Sequence, residues 1–547
     1  MSPKQQQEQA ILILVGMAIV AISLAATMAW GCATLAAWVH SGQLPHLGLG
    51  EAVTAATSPK FWSSDPAAAY PADVQRLLPG GWGFWSTVAL VFVLLTATFL
   101  AAVREIADRM AQTVADRRWY HIFLGRRPQA FGRYRTVKTA LVVDAPHPER
   151  VIVGTFANPP ALLAVQEHAQ ICAIAAPHSG TTTGLIVPVV LEHAGPVVTS
   201  ATNSEVVRAT FERRRRAGGE TFIWDPFGEY TDNWDPLYRC EDWSHALTVA
   251  RWLGHALAFG ENESTEYYDE AAQELSAPLL HAAALAPGRT IVDAYSWVRD
   301  REIDTPVQIL TEAGATDARA RLQGVYAFNE RRRDAIIGAV QFQLKAYGHP
   351  AVQRTARRSG GITPEDLFDG RPNTVYIVAG REHQRLLAPL VVTMLSSLVY
   401  YATEHENRER MRIAPPAVFA LDETAQIAPM QELPQILSIS HQIGIRFVSV
   451  WHSLAQMRER YGAEAAAEIM AMSQAKVFLG SITDEATRRE LMRLLGAGDE
   501  QDGTTAQALQ RLRAGEGLLI HSGQPPVFFT QRRGVEELEP VEEVGIS

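Results

Sequence analysis

The sequence predicts an α/β fold, a parallel sheet covered by helices, carried behind a membrane anchor. Three observations lead there. Short apolar runs alternate with stretches of helical spacing through most of the chain, the pattern of strands joined by crossover helices. One of these runs opens into an octet of small and hydroxylated residues followed by a helix, the order of a strand, phosphate loop and helix. Near the N-terminus, two charge-free apolar stretches are each long enough to cross a bilayer.

Length and composition fit such a body. The 547 residues are 47% hydrophobic and 20% charged, enough for three or four domains at ~150 residues each and far from the signature of disorder. The three cysteines, Cys32, Cys172 and Cys240, are too scattered for a disulfide framework or a zinc knuckle. A net charge of -10 gives no global attraction to nucleic acid, so any DNA handling must use a local basic surface or a lined channel.

The anchor comes first. Ala10 to Val39 carries no charged side chain, and at ~1.5 Å per helical residue that run exceeds a bilayer's hydrocarbon core. It is also longer than the apolar region of a secretory signal. Leu77 to Val103 is the second charge-free run, dense from Phe84 onward, with Trp82 and Trp85 at the place of an interfacial belt. The expected spans are residues 10–39 and 82–103, within an anchor covering 1–130. Arg104, Arg109, Arg117, Arg118, Arg126 and Arg127 follow the second span, whereas Lys60 and Arg76 are the basic residues between the spans. That asymmetry puts both termini and the main body in the cytoplasm, giving a multi-pass membrane protein. The segment between the spans, with Gly48, Pro59, Pro66 and Pro71, is expected to be too short for a core of its own and free to touch a partner across the membrane.

After the anchor, strands are expected at Ile171 to Ala175, Pro196 to Ser200, Thr221 to Trp224, Thr374 to Ala379, Ala417 to Leu421, Arg446 to Val450 and Lys476 to Leu479. Between about Glu263 and Arg358 the spacing is helical throughout. The body therefore divides into a first nucleotide-fold part (131–262), a mostly helical insertion (263–365), a second nucleotide-fold part (366–534) and an acidic tail (535–547).

The first strand runs into Ala176-Pro177-His178-Ser179-Gly180-Thr181-Thr182-Thr183. In a phosphate loop a first glycine permits the turn, backbone N–H groups wrap the phosphates, a lysine reaches the β and γ phosphates and a hydroxyl binds Mg²⁺. Here Gly180 and Thr182 hold the last glycine and hydroxyl places, but Ala175 replaces the first glycine and Thr181 stands where lysine belongs. Taken alone, the octet also has the composition of an ordinary strand-to-helix turn. A second strand ends in Asp422-Glu423, where an acid at the strand end can hold Mg²⁺ and a following glutamate can polarise water. A third ends in His452-Ser453-Leu454-Ala455-Gln456, where a polar side chain can sense a γ-phosphate.

With these motifs in hand, the sequence resembles the TraG/TraD-type coupling ATPases of type IV secretion and conjugation, membrane-anchored relatives of the additional-strand hexameric motors. The resemblance spans the two N-terminal runs, the loop with Gly184-Leu185-Ile186-Val187-Pro188, and Pro196-Val197-Val198-Thr199-Ser200. It continues through Phe222-Ile223-Trp224-Asp225-Pro226-Phe227, Trp234-Asp235-Pro236-Leu237, Leu421-Asp422-Glu423 and Ser453-Leu454-Ala455-Gln456. It implies a RecA-like P-loop NTPase domain with an all-helical insertion that recognises cargo and accessory proteins. It also implies a homo- or hetero-hexameric ring with nucleotide between subunits, and DNA or protein secretion cargo and other membrane components of the secretion system as partners. The implied cofactors are ATP and Mg²⁺, with Ser179, Gly180, Thr181, Thr182 and Thr183 around the phosphates, Thr182 and Asp422 on the metal, and Glu423 and His452 as catalytic residues.

The departures weaken that site. The lysine is missing at Thr181, the basic and acidic pair expected after the second strand is replaced by Ala201-Thr202-Asn203-Ser204-Glu205, and His452 replaces a glutamine. Losing one charge-assisted hydrogen bond, ~1.5 to 3 kcal/mol, costs roughly ten- to a hundredfold in affinity. The expected function is a coupling subunit with a weak or silent nucleotide site, whose ATP binding is weak or absent. The alternatives are an active ATP-driven translocase, with an arginine such as Arg208 replacing the lysine, and a non-motor membrane scaffold. Arg213 to Arg216 have the look of a phosphate-binding patch and Arg331 to Arg333 that of a contact for DNA or an acidic tail, but a helix spreads successive side chains around its circumference, so solvated helix residues are the expectation for both runs. His193 and His281 are expected to be satisfied or exposed histidines rather than metal ligands. Arg488 and Arg489 are candidates for an arginine lent to a neighbouring subunit.

Overall fold

The computed structural model describes residues 29–87, 89–90, 131–132, 134–147, 149–157, 159–255, 263–357, 361–495 and 512–532. The chain divides into two compact units, 1–115 and 116–547.

In the first unit, residues 29–41 and 81–87 are helical, and between them lie the helix Leu49–Thr57, 3₁₀ turns at Pro59–Trp62 and Pro66–Ala69, and a helical turn at Ala72–Gln75. The segment shares an apolar cluster with the helices on either side. Cys32, Ala33, Ala36 and Ala37 from the first helix pack with Ala52, Ala55, Phe61, Tyr70, Val74 and Phe84. The linker alone is too short to enclose a core, and the helix on either side supplies what it lacks. Phe61 meets Tyr70 and Phe84 edge-on at 6.1 and 6.0 Å, and the Tyr70 hydroxyl donates to the Ala29 carbonyl at 3.0 Å. Residues 10–28 and 91–103, the larger part of the expected spans, lie outside the described residues, as does the acidic tail. Among the described residues one helix, Gln384–Glu409, is long and apolar enough to cross a membrane, and it is largely buried in the second unit.

The second unit is built on a twelve-stranded sheet. Its strands are β1 (Val142–Val143), β2 (Ile152–Ala157), β3 (Pro160–Ala164), β4 (Ile171–Ala175), β5 (Val197–Ala201), β6 (Thr221–Trp224), β7 (Thr374–Val378), β8 (Ala417–Leu421), β9 (Ile445–Trp451), β10 (Ala475–Leu479), β11 (Glu516–His521) and β12 (Val527–Thr530). The order is β1-β3-β2-β12-β11-β10-β4-β9-β8-β5-β7-β6. From β10 to β6 every pairing is parallel, and these are the seven expected strands to within a residue or so at each end. Strands β4, β5, β7, β8, β9 and β10 are buried at every position, as mostly apolar strands covered on both faces are. The remaining five strands form an antiparallel extension beyond β10, so the sheet is mixed rather than all-parallel.

Residues 263–357 are helical, with helices at Glu263–Leu285, Ile291–Asp300, Asp304–Glu312, Thr316–Ala327 and Glu330–Gln343. His281 is buried with Nδ1 2.8 Å from the Cys240 carbonyl, and His193 is buried with Nε2 2.7 Å from the Pro416 carbonyl. Arg331 and Arg332 are exposed. The arginine run at 213–216 needs a correction: Arg214 is 2% exposed. Its guanidinium donates to the carbonyls of His193, Gly195 (2.7 Å) and Pro372 (2.8 Å) and to the Thr374 hydroxyl (2.8 Å). Burial lowers its pKa to about 10, so it stays charged at neutral pH and ties the helix Glu205–Arg216 to the chain entering β5 and β7.

Candidate nucleotide site

Three parallel strand ends converge. From β4 the chain turns through the small-residue octet into a π-helical turn, Thr182–Ile186, and then the helix Val187–Glu192. Pro188 has no N–H to offer the turn before it, and the Val187 N–H reaches back to the Thr182 carbonyl, the widened spacing of a π turn. His178 and Gly180 both have positive φ, 61° and 80°. Gly180 takes that conformation without steric cost, whereas His178 holds it under strain of ~1 to 3 kcal/mol, a cost that clusters at functional loops. The Gly184 N–H closes the turn on the Gly180 carbonyl at 2.7 Å.

Strand β8 delivers the acids. The Thr182 hydroxyl donates to Asp422 Oδ2 at 2.8 Å, and the Glu423 N–H donates to Asp422 Oδ1 at 3.0 Å. From β5, the Ser200 hydroxyl donates to the Asp422 carbonyl at 3.0 Å. Burial pushes the Asp422 carboxyl above the usual carboxylate range, opposed by the Thr182 and Glu423 hydrogen bonds. Glu423 sits in the left-handed region (φ 48°, ψ 47°) as the residue capping the turn Thr424–Ile427. From the end of β9, His452 places Nε2 3.8 Å from Glu423 Oε1. The Gln456 side chain accepts the His452 N–H at 3.0 Å, and Ser453 caps the following helix.

The expected site residues are therefore in one place, but not in one hydrogen-bonded set. Thr182 joins Asp422, and Glu423 faces His452. Ser179 and Thr181 are bonded to each other instead, hydroxyl to hydroxyl at 3.0 Å, and Thr183 is half-buried on the π turn. A hydroxyl and a carboxyl meeting beside a helix start fit a hard divalent cation. The position of Thr181 supplies no charge. Among the arginines, Arg208 is exposed on the helix that follows β5, while Arg489 is paired with Glu485 at 2.9 Å and Arg488 with the same carboxylate. A second group of metal-capable side chains, Glu149, Glu167 and His168, lies before β4, at the other end of that strand, where Arg412 stands 3.4 Å from Glu149. Two contacts escaped sequence reasoning. Ser200 lay within an expected strand with nothing to mark its partner, and Gln531 follows the unexpected strand β12 and abuts the loop from the extension.

Comparison with known proteins agrees with this geometry. The family model described as type IV secretory system conjugative DNA transfer matches residues 129–516. A probable conjugal transfer protein TraG of Sinorhizobium fredii is 22% identical over 335 residues, 58% of this chain and 50% of its own length. The conjugal transfer protein TraG of Agrobacterium fabrum is 22% identical over 326 residues, 56% of this chain and 47% of its own. The chain thus spans about half the length of these curated relatives. Among solved structures, the unbound bacterial conjugative coupling protein TrwBdeltaN70 shares the fold at a TM-score of 0.56 and 14% identity, over 75% of this chain and 95% of that one. The plasmid coupling protein TrwB in complex with ADP and Mg²⁺ does so at 0.56 and 15%, over 75% and 96%. With its mixed sheet, its loop and strand-end acids in register and the model match across most of its length, the chain belongs to the type IV secretory system conjugative DNA transfer family.

Proposed function

We propose that this chain is a membrane-anchored coupling subunit of conjugative DNA transfer or type IV secretion that recruits or moves DNA or protein cargo, with a nucleotide site weakened by the loss of its phosphate-loop cation. One observation carries the reading: Thr182 and Asp422 meet at 2.8 Å while Thr181, in the lysine's place, turns its hydroxyl to Ser179. The metal half of the site is assembled and the cationic half is not. Thr182 and Asp422 would hold Mg²⁺, which supplies charge neutralisation to a bound triphosphate; Glu423 would polarise water, with His452 Nε2 3.8 Å from that carboxylate. The apolar runs at 10–39 and 82–103 and the arginines after the second run support a bacterial inner-membrane anchor with the body inside. The subunit works in a ring of six, alone or mixed with an intact relative, in contact with other membrane components of the secretion system.

The test is ATP hydrolysis by the purified full chain in detergent, with and without single-stranded DNA. Turnover should be negligible, and Glu423→Gln should barely change it. The alternative is a working ATP-driven translocase, favoured by the exposure of Arg208 on the helix after β5, whose Ser200 touches Asp422. Robust DNA-stimulated turnover, abolished by Glu423→Gln and by Arg208→Ala, would replace the first reading with that one.

A further inference from the structure

The end of β12 reaches the phosphate loop from the side. Gln531 follows Thr530, which pairs with Thr155 of β2, and its N–H donates to the Gly515 carbonyl at 2.8 Å. Arg532 then pairs with Glu192, at the far end of the helix that leaves the loop, at 2.5 Å. The backbone on both sides of Gln531 is therefore fixed, and its side chain lies against the loop. A Cβ on Gly180 would stand 3.1 Å from Gln531 Oε1, and one on Gly184 would stand 3.1 Å from the same amide. These two positions lie one turn apart on the face presented to β12.

The Gln531 side chain is 7% exposed, and its amide nitrogen has no hydrogen-bond partner within the chain. A buried amide donor left unpaired costs ~1 to 3 kcal/mol, so its persistence calls for a ligand or a solvent partner. The same side chain lines a cavity of about 650 Å³ with Tyr134, Asp144, Thr155 and Arg532, a size common for small-molecule sites. Gln531 thus stands between the two: its Oε1 faces Gly180 and Gly184 of the loop, the cavity lies on its β12 side, and the other atom of the same amide is the unpaired donor.

We propose that Gln531 is a nucleotide-contacting residue whose side-chain amide donates to a phosphate oxygen seated in the loop. The inference rests on the nucleotide reading above and adds a specific donor to it. With threonine at 181, the loop offers backbone N–H groups, hydroxyls and this amide, a cradle of neutral donors.

The experiment is titration of the full chain in detergent with fluorescently labelled ATP in Mg²⁺, with adenosine as a competitor and melting temperature measured without nucleotide. Gln531→Met keeps length and removes the donor, and should weaken ATP about three- to tenfold. Gln531→Glu sets a carboxylate against the phosphates and should weaken ATP more than tenfold, less so at high salt, leaving adenosine competition unchanged. ATP affinity within twofold of wild type in both variants would overturn the proposal. So would equal weakening of ATP and adenosine by Gln531→Glu, which reports repacking of the strand end. If Gln531→Glu melts far below wild type, Gln531→Met decides alone by the same ATP criterion. Absence of binding by the wild-type chain would remove the nucleotide reading itself, whereas wild-type binding with indifferent variants removes only the role of Gln531.

Discussion

Restoring the missing cation tests whether the octet after β4 is a phosphate loop or only a turn. Thr181→Lys removes one hydroxyl-to-hydroxyl bond of 3.0 Å and leaves the buried Ser179 hydroxyl without that partner, a cost of ~1 to 3 kcal/mol. It adds an ammonium to a loop already bent by positive φ at His178 and Gly180 and followed by a helix whose N-terminal N–H groups favour anions. A charge-assisted bond to a phosphate oxygen gives ~1.5 to 3 kcal/mol, so ATP should bind roughly ten- to a hundredfold tighter. Inorganic phosphate should gain less, because the lysine of such a loop reaches the β and γ phosphates of a chain that phosphate lacks. Equilibrium dialysis with labelled ATP, with and without Mg²⁺, measures both. If the variant melts like the wild type and its affinity does not move, the loop does not cradle phosphate and the nucleotide reading fails.

Three further outcomes follow from named contacts. Burial raises the Asp422 pKa, so the neutral carboxyl favours folding. That stability is complete below the ordinary carboxylate pKa and is lost as pH rises through the shifted value. Asp422→Asn should therefore melt at or above the wild-type temperature at pH 7 while losing Mg²⁺-dependent nucleotide binding, and a large drop in melting temperature would show that the carboxylate's hydrogen bonds outweigh its burial. Arg214→Ala strands three carbonyls and a hydroxyl and should cost at least about 3 kcal/mol in denaturant unfolding, whereas exposed Arg215→Ala should stay within about 0.5 kcal/mol. For the topology, a cysteine replacing exposed Asp73 should react with an impermeant thiol reagent in intact cells and one replacing exposed Ser522 should not; the reverse labelling overturns the orientation read from the arginines.

What the sequence made legible, and what it concealed, divides along one physical line. Strands buried on both faces read as near-continuous apolar runs, and β4 and β8 announce themselves for that reason. The extension strands are short and unevenly buried: β12 alternates buried and exposed positions, and β2 carries Gly154 in its middle. That glycine is needed because a Cβ there would stand 2.2 Å from the Phe529 ring of β12, a close approach across strands that no periodicity along either strand reports. Arg214 was hidden in the same way, since nothing in four consecutive arginines says which one faces the sheet. In the site, Asp422 and Glu423 were visible because an apolar strand delivers them, and the loop because a strand precedes it. Gln531 was not, because its partner Gly180 is remote in sequence and the two meet only through the extension. Local chemistry thus reveals the half of the site that a single strand end can carry. The half assembled by pairing between distant strands becomes visible only in the fold, and in this chain the Gln531 side chain against Gly180 and Gly184 belongs to that second half.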